Sequence, residues 1–193
     1  MFYDKKILVL VGHPDSNSFN TILADAYAEG AREAGNEVKR VNLGDLNFDP
    51  ILHKGYKEIQ ELEPDLKQIQ EDIKWCEHFV IFYPSWWSTM PAILKGMFDR
   101  IWLPGFAFQF NEKGTFWKRL FKGKTARVFV TSDAHPFFTR LIFGDTTNEI
   151  KKGTLWFAGF KVKVKKIGPL KGISEEKRKK WLNKTKKWGK KAY

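Results

Sequence analysis

The feature that most constrains the fold is an alternation of apolar strand-like runs with helix-like segments. The run Lys6–Val11 is almost continuously apolar, as in a parallel strand buried on both faces. Further strand-like runs lie at 37–43, 78–83, 125–131 and 160–167, the last with alternating lysine and valine, typical of a sheet edge. Periodicity and capping residues predict helices over 20–34, 64–75, 92–102, 146–158 and 174–191. Five strands alternating with five helices predict a doubly wound α/β sandwich with a parallel sheet.

Length and composition bound the class of protein. The 193 residues, of which 42% are hydrophobic and 16% aromatic, are enough for one folded domain, and no repeat or linker divides residues 1–193. The single cysteine, Cys76, excludes an intramolecular disulfide scaffold and is expected to pack as a small apolar residue. The four histidines show no metal-ligand spacing, so no metal site is predicted. No apolar run approaches the ~20 residues of a membrane span and no signal peptide is visible, which predicts a cytoplasmic location.

The net charge of +12 is concentrated at one end of the chain. Residues 151–193 hold 16 of the 34 basic residues and two acids, whereas residues 1–150 hold 18 basic and 20 acidic residues. Such a basic end is either a footprint for nucleic acid or a membrane surface, or a solvated outer face. The solvated face is favoured, with Trp181, Leu182 and Trp188 as a packing stripe.

Three segments are candidates for ligand binding. In an open α/β sheet with strand order 2-1-3-4-5, ligands bind beyond the carboxyl ends of the strands, near the first and third strands. In the segment 12–20 (GHPDSNSFN), small polar residues precede the start of a predicted helix. The amino terminus of a helix attracts phosphate, and the alternative is an ordinary capped helix with no ligand. The segment 83–91 (YPSWWSTMP) places two tryptophans after a buried strand, for stacking on a flat ligand or for core packing. The segment 131–138 (TSDAHPFF) is a weaker signal.

These segments together resemble one family. The stretch 83–100 (YPSWWSTMPAILKGMFDR) resembles the YPxxWxxxPAxLKGxxDRV motif of the NAD(P)H:quinone oxidoreductases, flavodoxin-like flavoproteins related to DT-diaphorase and its small bacterial members. GFAF at 105–108 and HPDSNSFN at 13–20 resemble two further motifs of that family. The resemblance covers nearly the whole chain and implies a flavodoxin-like three-layer sandwich.

The resemblance also implies a homodimer with a flavin in each interface and assigns site residues by position. The flavin's phosphate arm would be held by His13, Ser18, Phe19 and Asn20. The ring would be lined by Pro84, Ser85, Trp86 and Trp87, and faced by backbone donors of Thr131, Ser132, Asp133 and Ala134. Phe106, Phe108 and Phe137 would line the substrate pocket. FMN is favoured as the flavin, with FAD as the alternative and NAD(P)H as co-substrate.

Two departures from the family pattern fall in the third segment. The tyrosine and histidine that support charge on the reduced flavin in DT-diaphorase-type members are Phe137 and Phe143 here. The glycines of the family's Thr-Thr-Gly-Gly loop are Asp133 and Ala134. Backbone N–H groups of this loop are therefore expected to stabilise the flavin anion, with His135 as a weak catalytic candidate and a solvent-facing histidine as its alternative.

The predicted function is two-electron, ping-pong reduction of a quinone, azo or nitro compound by NAD(P)H through the flavin. Two other functions remain open. One is a non-catalytic flavoprotein subunit of a potassium-efflux type of system, and the other is a nucleic-acid or membrane-surface binder using the basic end. On the 92–102 helix, Lys95, Asp99 and Arg100 are interpreted as structural ion pairs.

Overall fold

The strands and helices follow the alternation expected from the sequence. A computed structural model describes residues 4–192, so residue 193 and residues 1–3, part of the segment judged for a signal peptide, lie outside it. The strands are β1 (Lys6–Val11), β2 (Glu37–Asn42), β3 (His78–Pro84), β4 (Phe108–Phe110), β5 (Trp117–Arg119), β6 (Thr125–Thr131) and β7 (Lys161–Ile167). The α-helices are α1 (Phe19–Glu33), α2 (Pro64–Trp75), α3 (Ala92–Ile101), α4 (Pro136–Phe143) and α5 (Glu175–Lys191). A π-helix spans Glu149–Trp156, and 3-10 turns span Leu43–Asp45 and Gly55–Lys57.

The main sheet has five parallel strands in the order β2-β1-β3-β6-β7. Counting only the strands of this sheet, the order is 2-1-3-4-5, as predicted. In the centre, Leu10 of β1 is in register with Val41 of β2 and Ile81 of β3. The lysine-rich strand β7 lies at the sheet edge, where its charges oppose pairing with another sheet. The predicted α/β fold class is confirmed.

Two apolar cores fill the space between the sheet and its helices, which gives three layers. Alternate residues of a strand point to opposite faces, so β1 sends Leu8 and Leu10 into one core and Ile7, Val9 and Val11 into the other. The first core is closed by α2, α3 and the π-helix, and the second by α1 and α5. Nearly all of β1 and β3 is buried, which explains why their sequences read as continuous apolar runs.

Local features of the sequence account for several of the helix ends. Gly35 follows the end of α1 at φ 86°, a left-handed conformation that glycine adopts at low cost. Pro64 occupies the first turn of α2, and the Ser174 side chain accepts the Lys177 N–H at the start of α5. Trp181, Leu182 and Trp188 pack against the second core, as the predicted stripe requires. None of the helices within 4–192 combines the length and apolar character needed to cross a bilayer.

Three parts of the chain differ from the expected elements. The predicted helix 146–158 is largely a π-helix, in which the Thr154 hydroxyl donates to the Glu149 carbonyl, five residues back, at 2.9 Å. The hairpin β4–β5 was not predicted, because its strands are only three residues long. Helix α4 was also missed, because its eight residues are too few for a helical period to stand out, although five of them are large and apolar and none is buried.

The residues set aside as structural have structural roles. Cys76 is buried at the end of α2, and burial raises the pKa of its thiol to about 12. Lys95 and Asp99 form an exposed ion pair at 2.5 Å, one turn apart on α3. Arg100, which is almost fully buried, pairs with Glu63 at 2.9 Å. The interpretation of these side chains as ion pairs rather than catalytic groups agrees with their contacts.

Helices α1 and α5 cross at two glycines. A Cβ at Gly189 would lie 2.1 Å from the carbonyl oxygen of Tyr27, and a Cβ at Gly30 would lie 2.1 Å from that of Lys186. Ion pairs flank the crossing, from Lys186 to Glu29 and Glu33 and from Lys190 to Glu33. Part of the basic end therefore binds the neutral body of the protein.

We expect Gly189→Ala to lower the free energy of unfolding by about 1–3 kcal/mol, because the new methyl group meets backbone that cannot move aside alone. Urea denaturation followed by circular dichroism measures this change. The control is Gly153→Ala, since nothing lies within 4 Å of a Cβ there and alanine favours helix. Equal stabilities of Gly189→Ala and the wild type would contradict close packing of the two helices.

Candidate functional site

The site is formed by the three loops that follow β1, β3 and β6. These strands are neighbours in the sheet, so their carboxyl ends place the loops 12–18, 85–91 and 132–135 side by side. The Ser85 N–H donates to the Thr131 carbonyl at 2.7 Å, which joins the second loop to the third. The His13 ring meets the edge of Trp86 at a centroid distance of 5.3 Å, which joins the first loop to the second.

The amino terminus of α1 forms one side of the site. Ser18 is its N-cap, and the Ser18 hydroxyl accepts the Thr21 N–H at 3.3 Å. The first turn of α1 contains no acidic residue, and the nearest carboxylate before the N-cap, that of Asp15, accepts the Asn17 N–H at 2.8 Å. The Asp15 N–H donates to Nδ1 of His13 at 2.9 Å, and Phe19 lies under the guanidinium of Arg178 at 5.3 Å. This arrangement suits an anion such as phosphate.

Asn20 ties this helix to the third loop across 111 residues of sequence. Its amide nitrogen donates to the Thr131 hydroxyl at 3.0 Å, and that hydroxyl lies 3.2 Å from the amide oxygen of Asn20. Both side chains are buried. Because a buried polar pair of this kind holds both of its partners in place, Asn20 and Thr131 fix the spacing between the α1 terminus and β6.

The second loop contains a tight turn from Trp86 to Thr89, called the Trp turn below. The backbone N–H and carbonyl groups of Trp86 and Thr89 bond each other in both directions, at 3.0 and 3.1 Å. The two central residues, Trp87 and Ser88, have φ values of 50° and 65°. Left-handed backbone is uncommon for non-glycine residues, and for a bulky one it marks a strained site. The turn leaves the Trp87 side chain 100% exposed.

The third loop is held from β7. The Ser132 N–H donates to the Ile167 carbonyl at 3.0 Å, and the Ser132 hydroxyl donates to the Ala134 carbonyl at 2.8 Å. Asp133 and Ala134 are exposed. His135 caps α4, where its Nδ1 accepts the Phe137 N–H at 3.3 Å. Because that contact uses Nδ1 as an acceptor, the neutral ring carries its proton on Nε2.

A group of polar side chains lies beside the Trp turn. The Thr89 hydroxyl donates to a carboxylate oxygen of Glu149 at 3.3 Å. Burial raises the pKa of Glu149, and Asp145 adds to this rise, while the Thr89 hydrogen bond and Lys166 oppose it. Burial also raises the pKa of Tyr83, and the charges of Glu149 and Asp145 raise it further. Lys166 lies 3.4 Å from Asp145. Tyr83 and Thr89 belong to the motif at 83–100, whereas Glu149 and Lys166 were not singled out from the sequence, because their spacing matches no motif.

The aromatic residues expected to line a substrate pocket occupy different environments. Phe106 is buried in the first core, against Trp102 and Phe121. Phe108 is half-buried beside Phe157, and Phe137 on α4 is exposed. Of the three, Phe108 and Phe137 are therefore accessible to a ligand, and a pocket role for the three stays a prediction. Phe143, like Phe137, is exposed and places an apolar ring where the family resemblance implies a polar one.

The observed fold agrees with the results of a comparison with known protein families. A model of the Flavodoxin_2 family, described as having a flavodoxin-like fold, matches residues 5–189. The chain belongs to this family. It is 28% identical over 187 residues to NAD(P)H dehydrogenase [quinone] 1 of Cavia porcellus, a match that covers 82% of this chain and 66% of the relative. It is 29% identical over 202 residues to ribosyldihydronicotinamide dehydrogenase [quinone] of Pongo abelii, covering 91% of this chain and 86% of the relative.

Solved structures share the fold of this Flavodoxin_2 chain. The NAD(P)H:quinone oxidoreductase from Methanothermobacter marburgensis superposes with a TM-score of 0.80 at 24% identity, over 97% of this chain and 98% of the other. An FMN-dependent NADH-azoreductase from Bacillus anthracis, solved in complex with FMN, superposes with a TM-score of 0.76 at 18% identity, over 98% of this chain and 100% of the other. The family match and the relatives confirm the predicted resemblance and the prediction of an oxidoreductase enzyme.

Proposed function

We propose that this Flavodoxin_2 chain is a flavin-dependent NAD(P)H:quinone oxidoreductase that binds FMN at the three loops. The observation that carries the proposal is the juxtaposition of two unlike surfaces, joined by the contact of His13 with Trp86. One is a helix terminus with no acidic residue in its first turn, which suits a phosphate. The other is the Trp turn, which presents an exposed indole and suits a flat heteroaromatic ring. A flavin mononucleotide has these two parts.

The observed residues fit such a group. The first-turn N–H groups of α1, with Ser18 as cap and His13 nearby, would hold the phosphate. Trp87, with Trp86 beside it, would stack on the ring, and the backbone of Ser85, which is anchored by Thr131, would lie at the ring edge. When bound, a flavin supplies hydride transfer between NAD(P)H and an acceptor. FMN is favoured over FAD because this arrangement accounts for one phosphate and one ring.

The other proposed roles of the protein are to stabilise negative charge on the ring and to exclude water from the acceptor. The exposed loop of Asp133 and Ala134 would direct backbone N–H groups at developing negative charge on the ring, as an oxyanion hole does. His135 would donate from Nε2, because its Nδ1 already accepts from Phe137. Phe137 and Phe143 have no hydrogen-bonding group and would instead keep water from the acceptor. A flat acceptor such as a quinone, or an azo or nitro compound, would replace the nicotinamide in a ping-pong cycle.

Exposed apolar surface supports a homodimer. On α4, five large apolar side chains are more than half exposed: Phe137, Phe138, Leu141, Ile142 and Phe143. A continuous patch of this kind is typical of an interface. Because α4 follows the third loop, a second copy against it would also border the site, as in the interfacial flavin that the resemblance implies. Light scattering that gave twice the chain mass of 22.6 kDa would support this assembly.

We expect Trp87→Ala to weaken FMN binding by about 5- to 100-fold, since stacking of a flat ring on an aromatic side chain contributes about 1–3 kcal/mol. Quenching of FMN fluorescence by the apoprotein measures the dissociation constant, with FAD titrated in parallel. Trp156→Ala is the control, because Trp156 is another exposed tryptophan, at 49%, but precedes the amino end of β7, at the end of the sheet opposite the site.

The proposed activity has its own test. Flavin-loaded protein should lose its visible flavin absorbance on addition of NADH or NADPH and regain it on addition of a quinone. Wild-type protein that bound neither FMN nor FAD would contradict the proposal. Steep salt-dependent binding of nucleic acid by such a flavin-free protein would favour the function based on the basic end instead.

A further inference from the structure

The Trp turn has a conformation that its sequence does not favour. A two-residue turn with both central residues at positive φ, as at Trp87 and Ser88, belongs to the type I′ class, which prefers asparagine or aspartate followed by glycine. Tryptophan and serine are poor residues for these positions. Such backbone persists only where surrounding contacts hold it. The conformation of the Trp turn therefore depends on the contacts that hold it.

Two sets of contacts restrain the turn. The first is internal, the two backbone hydrogen bonds between Trp86 and Thr89, which close the turn but do not fix it to the rest of the protein. The second is external: the Trp86 ring contacts the ring of His13, and the Thr89 hydroxyl donates a hydrogen bond to Glu149, 60 residues further along the chain. This bond ties the turn to the start of the π-helix.

Glu149 is itself well anchored. Its carbonyl accepts the Thr154 hydroxyl at 2.9 Å, a bond made within the π-helix. The next residue, Ile150, is fully buried in the first core. The buried Tyr83 side chain lies on the adjoining strand, within electrostatic range of the Glu149 carboxylate. Glu149 thus offers a fixed, charged acceptor to a strained turn, and a hydrogen bond to a charged acceptor is stronger than a neutral one.

We propose that Glu149 is a positioning residue that holds the Trp turn in its left-handed conformation through Thr89. It thereby fixes the position of the Trp86 and Trp87 side chains, called the aromatic platform below. The effect on the turn is a property of the chain alone. The consequence for flavin binding rests on the proposed function. Glu149 touches no part of the flavin in this proposal and acts only through the turn.

The strength of the hydrogen bond that holds the Trp turn, from Thr89 to Glu149, depends on the charge of Glu149. The groups that face its carboxylate are Thr89 on the turn, Asp145 before the π-helix, Lys166 on β7 and Tyr83 on β3. Burial raises the pKa of Glu149, so its protonation on acidification begins at a higher pH than for an exposed glutamate. Protonation weakens the acceptor, and the hold should therefore loosen as the pH falls, in the wild type but not in Glu149→Gln.

The first experiment measures how readily the Trp turn opens in the absence of a flavin. In the apoprotein, amide hydrogen exchange of Trp86 and Thr89 should become about five- to tenfold faster in Glu149→Ala and in Thr89→Val, because the external restraint is lost. Thr89→Ser keeps the hydroxyl and should exchange like the wild type. The Leu10 amide reports global opening and should not change, and Glu71→Ala, an exposed glutamate on α2, is the matched control.

The second experiment measures the affinity for FMN, which reports whether the aromatic platform is correctly placed. We expect Glu149→Ala to weaken FMN binding by about five- to tenfold. Adding Ser88→Gly should restore the affinity, because glycine adopts positive φ without strain and makes the external hold unnecessary. A merely structural loss in the π-helix would not be rescued by a change in the turn.

The two experiments separate the two hypotheses. Unchanged exchange at Trp86 and Thr89 in Glu149→Ala would overturn the role of Glu149, whether or not the wild type binds a flavin. Faster exchange with unchanged FMN affinity, or a failure of Ser88→Gly to rescue, would overturn the link to the platform. Absence of flavin binding by the wild type would overturn the proposed function, while the exchange rates would still decide the role of Glu149 in the turn.

Discussion

Acidification from pH 6.5 to pH 4 should lower the free energy of unfolding by about 3 kcal/mol through His78 alone. His78 is fully buried at the start of β3, where Nε2 lies 3.1 Å from the Tyr27 hydroxyl and Nδ1 lies 2.8 Å from the Thr125 hydroxyl. Burial, with the positive charges of Lys5 and Arg127, lowers the pKa of His78 from 6.5 to about 3.

The direction of this effect follows from proton binding in the two states. Above pH 6.5 the imidazole is neutral in both the folded and the unfolded chain, so it contributes no pH dependence. Between pH 6.5 and about 3 only the unfolded chain takes up the proton, which stabilises the unfolded state by about 1.4 kcal/mol per pH unit. The stability is therefore complete above pH 6.5 and is lost as the pH falls.

The measurement compares variants, because carboxyl groups also titrate in this range. Urea unfolding at pH 7 and pH 4 should show a loss for the wild type that exceeds the loss for His78→Gln by about 3 kcal/mol. His53→Gln is the control, since the ring of His53 is more than half exposed and pairs with Asp49 at 2.6 Å. Equal losses for the wild type and His78→Gln would show that His78 titrates normally in the folded protein.

Replacing Arg100 by methionine should cost about 3 kcal/mol of stability, near the lower end of the range for removing one partner of a buried ion pair. Arg100 is 1% exposed and holds the long connection between β2 and α2. Its guanidinium donates to both carboxylate oxygens of Glu63, at 2.9 and 3.1 Å, and to the carbonyls of Asp49 and Glu61. The lower end applies because Glu63 is partly exposed and water can solvate it after the change.

Lys95→Met on the same helix is the matched control for Arg100→Met. Lys95 and Asp99 form an exposed pair, for which we expect a loss of only about 0.3–0.5 kcal/mol. Addition of Glu63→Gln to Arg100→Met should recover part of the loss, because the carboxylate left without its partner is removed. A cost for Arg100→Met no larger than that for Lys95→Met would show that the connection is held by its other contacts.

Much of the site location could be predicted from the sequence. The apolar runs of β1 and β3 identify buried strands, and in a parallel sheet the loops after such strands lie at one edge. Position in the chain therefore places His13, Trp86 and Thr131 near one another before any contact is known. The motif at 83–100 supplied the family. The predicted cofactor residues lie together for this reason, and their individual roles stay predictions.

Other features depend on contacts between residues that are distant in sequence. Phe106 is buried in the first core, and an aromatic residue after a helix has no local signal that tells from the sequence whether its ring is buried or exposed. The π-helix departs from the period from which α-helices are predicted, and α4 is a short helix whose apolar side chains are exposed rather than packed on the sheet. The positive φ of Trp87 and Ser88 is contrary to local preference and is held from outside the turn.

The sequence by itself determined the alternation of elements, the parallel sheet and the edge at which a ligand is expected to bind, because apolar periodicity and the order of the elements can be read along the chain. The tertiary structure alone decided that Asn20 meets Thr131, that Gly189 lets α5 approach Tyr27, and that Glu149 reaches the Trp turn. Each of these depends on a distance between segments that no spacing in the chain encodes. These distances are set by the way the helices pack on the sheet. The close packing of the two cores leaves the helices little freedom to shift.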